Sequence, residues 1–120
     1  MDLSGVLNRF SLVSGLSPDD TIIWSSLCQD SMNEIGMALK EGVDSGAKEH
    51  KDRLENAVAC LSLYKYALYK LYETNLDTEI STVQAKQIYI KNAYQIWLTS
   101  RTAVADILED NEFVFEGIDA

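Results

Sequence analysis

A chain of 120 residues has room for one core and not two, and 47% apolar with 24% charged residues is the make-up of a folded protein rather than a disordered one. The net charge of −9 argues against the clustered Lys and Arg with which proteins hold nucleic acid or an anionic membrane surface, and suits a basic partner surface.

Taken in order, residues 3–13 place Val6, Leu7, Phe10 and Val13 at helical spacing, a short helix with one side on the core. Ser14-Gly15 ends it. Ser17 then reads as an N-cap, with Pro18 at the first helical position and Asp19 and Asp20 at the positive end of the helix dipole. The helix they start is predicted over 18–41, with Gly42 as its stop. At 100° per residue, Ile23, Trp24, Leu27, Cys28, Ser31, Ile35, Ala38 and Leu39 fall on its inner side.

After a turn of small residues, in which Asp44 or Ser45 can cap the next helix, comes the stretch that organises the chain, residues 54–72. It is apolar nearly all round, which predicts a central helix covered on several sides. Its first turns, from Lys48 to Glu55, are dense in mixed charge and read as a solvated start. Leu54, Ala57, Leu61, Tyr64, Leu68 and Leu71 keep the 3-4 spacing of a seam for an antiparallel neighbour, with Tyr72 at or near it. Ala59, Leu63 and Tyr66 lie opposite and need a second cover, from this chain or from another; Leu63 and Tyr66 are therefore candidate interface residues.

Ser81 with Gln84 forms a capping box for a last helix over 82–109. Its apolar residues make two stripes, Val83, Ile90, Tyr94, Trp97, Val104 and Leu108 on one side, and Ala85, Tyr89, Ile96, Ala103 and Ile107 on the other. Two stripes predict two packing partners. Arg101 stands inside the first, either with its stem on the core and its guanidinium in water or paired with a carboxylate of this or another subunit. Residues 111–120 form an acidic and apolar tail, better suited to an extended segment, whose Phe113, Val114, Phe115 and Ile118 call for a docking surface on this bundle or a neighbour's. The fold expected is all-α: a single helical domain over 1–110, a small bundle of three long helices with a short N-terminal helix and an extended C-terminal tail.

No constellation announces a chemistry. His50 stands alone among Lys48, Lys51 and Arg53, and reads as a solvated surface ring. There is no C-x-x-C, H-E-x-x-H or Gly-rich phosphate loop, and Asp30 with Glu34 reads as a charge pair on a helix flank. No catalytic, cofactor or metal residue is named, and an enzyme is not expected. Cys28 and Cys60 fall at apolar helix positions and the first ten residues lack the pattern of a signal peptide, so reduced, buried thiols in a soluble cytoplasmic protein are expected. Lys65 and Lys70 interrupt the central helix, which excludes it as a membrane span.

The order of features, a short leading helix, the capped helix GLSPDDTIIWSSLCQDSMNEIGMAL, a small turn and the spine RLENAVACLSLYKYALYKL, resembles the head–tail connector (adaptor) proteins of tailed bacteriophages and prophages over about residues 3–72. In that family an acidic cap opens the first long helix, the place taken here by Ser17, Pro18, Asp19 and Asp20. The resemblance implies a structural virion protein that forms a homo-oligomeric ring under the portal and offers a surface to tail or stopper proteins. Many connectors carry a longer insertion between their later helices, where this chain has only residues 73–80, so the role carries over and individual contacts do not. The alternative is an acidic helical regulatory domain in the cytoplasm that binds a basic protein.

Overall fold

The computed structural model describes residues 1–73 and 80–109, without the side chains of residues 80–82. Among the described residues there are five α-helices and one 3-10 turn: α1 (Leu3–Ser14), α2 (Pro18–Ile23), α3 (Ser25–Met37), α4 (Lys48–Tyr72), α5 (Ile80–Ala103) and the turn Ala105–Ile107. The mainly helical fold expected from the sequence is present. The tail, with Phe113, Val114, Phe115 and Ile118, lies outside the described residues.

Every other long element leans on α4: α5, α1 and α3 all pack against it, and α1, α2 and α3 also touch one another. From Leu54 to Tyr64 all of its residues but Asn56 are buried. Ala57, Ala59, Ser62 and Ala67 let neighbours come close, while Leu54, Val58 and Leu61 fill the space between. Phe10, Ile35 and Trp97 close the core from α1, α3 and α5, each burial worth about 1.5–3 kcal/mol. The buried hydroxyls are satisfied within their own helices: Ser31 donates to Leu27 O (3.1 Å), Ser62 to Val58 O (2.8 Å) and Ser100 to Trp97 O (2.8 Å).

Local chemistry explains where the elements start and stop. Asp2 caps α1, its carboxylate accepting from Gly5 N at 2.9 Å. Gly15, at φ +77°, ends the helix by donating to Ser11 O. Ser17 caps α2 as predicted, accepting from Asp20 N at 3.2 Å.

The helix expected over 18–41 is instead two. At Trp24 the backbone opens (φ −98°, ψ 12°) and its N–H turns back to Thr21 O. The break lets the indole meet Tyr66 and Tyr69 of α4 edge to face, at 4.8 and 5.2 Å between ring centroids. It also carries Ile23, expected on the inner side, out to 75% exposure, and Thr21 takes the buried place.

The C-terminal stop is earlier too. α3 ends at Met37 because Leu39 leaves the helix and pairs with Leu108 in an isolated antiparallel bridge. Lys40 N donates to Ile107 O (2.9 Å) and Glu109 N to Ala38 O (2.6 Å). For the same reason the last helix stops at Ala103 rather than at 109, and the 3-10 turn brings Val104, Ile107 and Leu108 together into the core. Ser81 falls in the first turn of α5 rather than before it, and α4 starts after Ala47 with no side-chain cap, so neither Asp44 nor Ser45 has the expected role. Asp44 instead accepts from Gly46 N within the turn.

Candidate interaction surface

The second face of α4 is covered from within the chain. Leu63 is 2% exposed, which corrects its place as a candidate interface residue. Tyr66 is half-buried, with Phe10 of α1 edge-on at 6.0 Å and Trp24 at 4.8 Å, so among the described residues the N-terminal helices supply cover for it. Lys70 Nζ lies 5.6 Å from the Trp24 ring and 5.7 Å from the Tyr66 ring, a cation over an aromatic patch. Tyr69 borders it, half in solvent. Tyr72, expected near the seam, is 83% exposed, whereas Tyr64 is buried and meets Tyr94 of α5 at 5.0 Å.

The two stripes of α5 have different fates. Trp97 and Val104 of the first are buried, with Val83, Ile90 and Tyr94 half-buried beside them. The second stays open: Ala85, Tyr89, Ile96 and Ala103 are exposed, and only Ile107 is buried, by way of the 3-10 turn. Ile96 and Ala103 form one wall of a largely apolar groove of about 450 Å³, floored by Asn56 and Cys60 and faced by Val13 of α1. Arg101 is half-buried in the last turn of α5, where a cation suits the negative end of the helix dipole. Leu12 of α1 and Ile22 and Ile23 of α2 are exposed as well, with Ile22 beside Leu7 and Ser11 of α1.

Charge is unevenly spread over these surfaces. Between residues 80 and 105 there is no Asp or Glu, but Lys86, Lys91 and Arg101 are present. Between residues 10 and 39 there is no Lys or Arg, but Asp19, Asp20, Asp30 and Glu34 are. Glu34 meets Lys65 of α4 at 2.7 Å while Asp30 is exposed, so the two carboxylates do not act as a pair.

Two polar nodes fix the frame around these surfaces, and both escaped the sequence. Glu55, expected in the solvated start of α4, is 3% exposed and accepts from Asp2 N at 2.8 Å. Its carboxylate lies so close to Gly5 that a Cβ there would overlap it. Lys51 completes the node, 3.1 Å from Asp2 Oδ2. The N–H of Gly5, the hydroxyl of Ser4 and then the ammonium of Lys51 hold the Asp2 carboxyl down at about 2.

The other node is Arg53. It grips both oxygens of Asp106 (2.7 and 3.0 Å) and donates to Ala103 O (3.0 Å). The hydrogen bonds that Arg53 donates to Asp106 raise the pKa of the guanidinium and lower that of the carboxyl. His50 joins here. Its Nδ1 lies 2.9 Å from the guanidinium, which has no acceptor, so the ring accepts; its side chain is 18% exposed, not the solvated ring expected. The signal for both nodes was the spacing of charges on the first turns of α4, whose partners lie 50 or more residues away.

Cys28 and Cys60 are buried and not joined in a disulfide, with burial pushing both thiols up, away from the reactive thiolate. Among the described residues no group of three or more His, Cys, Asp or Glu side chains is placed to hold a metal ion, and no helix is long and apolar enough to cross a membrane. Comparison with protein-family models, with characterised proteins and with solved structures finds no match.

Proposed function

We propose that this chain is a non-enzymatic assembly protein that works by binding copies of itself and neighbouring structural proteins, as a head–tail connector of a phage or prophage virion joining portal to tail. The observation that carries the reading is the set of large apolar side chains left exposed among the described residues: Leu12, Ile22 and Ile23 on α1 and α2, and Ile88, Tyr89 and Ile96 on α5. Exposed apolar patches with polar rims mark interaction surfaces. The resemblance supplies the role, through the capped start at Ser17, Pro18, Asp19 and Asp20.

The test is the mass of the purified protein by light scattering behind gel filtration over a wide concentration range, with electron microscopy of the largest species. A discrete closed ring is the expected result. A monomer at every concentration overturns the self-assembling reading. One observation favours a second reading, an acidic regulatory domain for a basic protein: the run of four acids without Lys or Arg between residues 10 and 39. A monomer that binds a Lys-rich peptide in a salt-sensitive, stoichiometric complex would establish it instead.

A further inference from the structure

We infer that the C-terminal segment of the chain, residues 110–120, returns over its own molecule and fills the groove between α1 and α5. The segment lies outside the described residues, and the inference stands apart from the self-association proposed above. Val13 of α1 and Ile96 and Ala103 of α5 wall the groove over Asn56 and Cys60 of α4, leaving a volume of about 450 Å³. It stays open because Cys60, Ser100 and Ala103 are too small to fill it. None of its lining side chains is charged, and Ile96 is 43% exposed there.

Chemistry, position and length choose the occupant. Phe113, Val114, Phe115 and Ile118 are apolar side chains in a short acidic segment, and a neutral, largely apolar groove is where their burial is favourable. Asn56 and Gln95 bring side-chain amides to the same groove, which can bond the backbone of an extended segment. The acids of the segment meet no like charge on the α5 wall, because residues 80–105 contain no Asp or Glu. Position agrees. Ala103 lines the groove and its carbonyl is held by Arg53, near the start of α4. Glu109 follows six residues later, anchored on Ala38 O. Six residues span at most about 20 Å, so the six more that lead to Phe115 are long enough to come back to Ala103. The other stretch outside the described residues, 74–79, joins α4 to α5 at the opposite end of the pair, where Lys86 reaches Lys70 O. A segment tethered close to the groove acts at an effective concentration in the millimolar range, which favours it over the same segment of a second copy.

The experiment uses the full chain and three single variants, Phe113→Cys, Phe115→Cys and Ile118→Cys, oxidised with diamide at low micromolar concentration. Non-reducing gels and peptide mass spectrometry read the links. Cys60 lies in the groove, and Cys28, fully buried and outside it, is the internal control. At least one introduced thiol is expected to join Cys60 within a single chain, since a disulfide needs Cα atoms within about 7 Å. A second readout needs no new cysteine. In F113D/F115D, with helicity checked by circular dichroism, iodoacetamide is expected to label Cys60 at least about tenfold faster than in the wild type, while Cys28 keeps its rate. Both results are required. A link from Cys60 to the tail of another chain overturns the inference in favour of a neighbour's tail. If no position links to Cys60, if its labelling is unchanged, or if both thiols accelerate alike, the groove is not the seat of the tail. Light scattering reads self-association separately, so either proposal can fail without the other.

Discussion

At the scale of single residues, Gly5 and Asp2 have the most specific consequences. Gly5 leaves room for the buried Glu55 carboxylate, and a methyl group there must displace either the carboxylate or α1. Gly5→Ala is expected to cost about 1–3 kcal/mol in urea unfolding, as overpacking does. Gly36→Ala is the contrasting case. The nearest atom to its added Cβ is the Met1 methyl at 3.8 Å, so replacing an exposed helical glycine is expected to stabilise by about 0.5–1 kcal/mol. Asp2 predicts a pH effect. Its folded pKa of about 2 lies below the ordinary 3.8, so its contribution is complete above the ordinary value and is lost as pH falls from there towards 2. Asp2→Asn keeps a capping side chain without the titration, and its stability should fall less steeply over that interval in acid denaturation followed by circular dichroism.

At the scale of elements, the return of the chain from α5 to the end of α3 is held by a few contacts that can be tested apart from the core. Arg53 ties Ala103 O and Asp106 to α4, and the backbone pairs Lys40–Ile107 and Glu109–Ala38 finish the link. Arg53→Gln removes the charged fork. Amide hydrogen exchange at Val104, Ile107 and Glu109, whose N–H groups bond within this turn or across it, is expected to speed up while exchange in the middle of α4 keeps its rate. Equal acceleration in both places would mean that the clamp supports the whole core. The break at Trp24 belongs to this scale as well: helix periodicity gave one helix, and the attraction of the indole to Tyr66 and Tyr69 made two.

At the scale of the whole molecule, α4 makes one core of everything described, with Trp24 against its aromatic face and Trp97 buried beneath α5. A single shared core predicts one cooperative transition. Unfolding in urea followed by tryptophan fluorescence and by far-ultraviolet circular dichroism should give coincident curves; separate midpoints would show that α5 comes away from α1–α3 independently. The central place of 54–72 was legible because a helix apolar on all sides can only be surrounded. The caps at Ser17 and Gly15 were legible because they are local. The open stripe of α5 was half legible: the two stripes were visible, but which of them stayed bare depended on which one turned to α4.

What the sequence determined by itself is the set of features written in neighbouring residues: helical periodicity, the cap at Ser17, the stop at Gly15, the central helix and the uneven charge. Only the tertiary structure decided that Leu63 is core, that Tyr72 is surface, that Glu55 is buried and that His50 sits against Arg53. These outcomes depend on partners 50 or so residues away, such as Asp2 for Glu55 and Asp106 for Arg53. A charge on the first turn of a helix looks the same in sequence whether water or another helix will meet it. The free energy that separates the two arises from desolvation and pairing, and both exist only once the chain has packed.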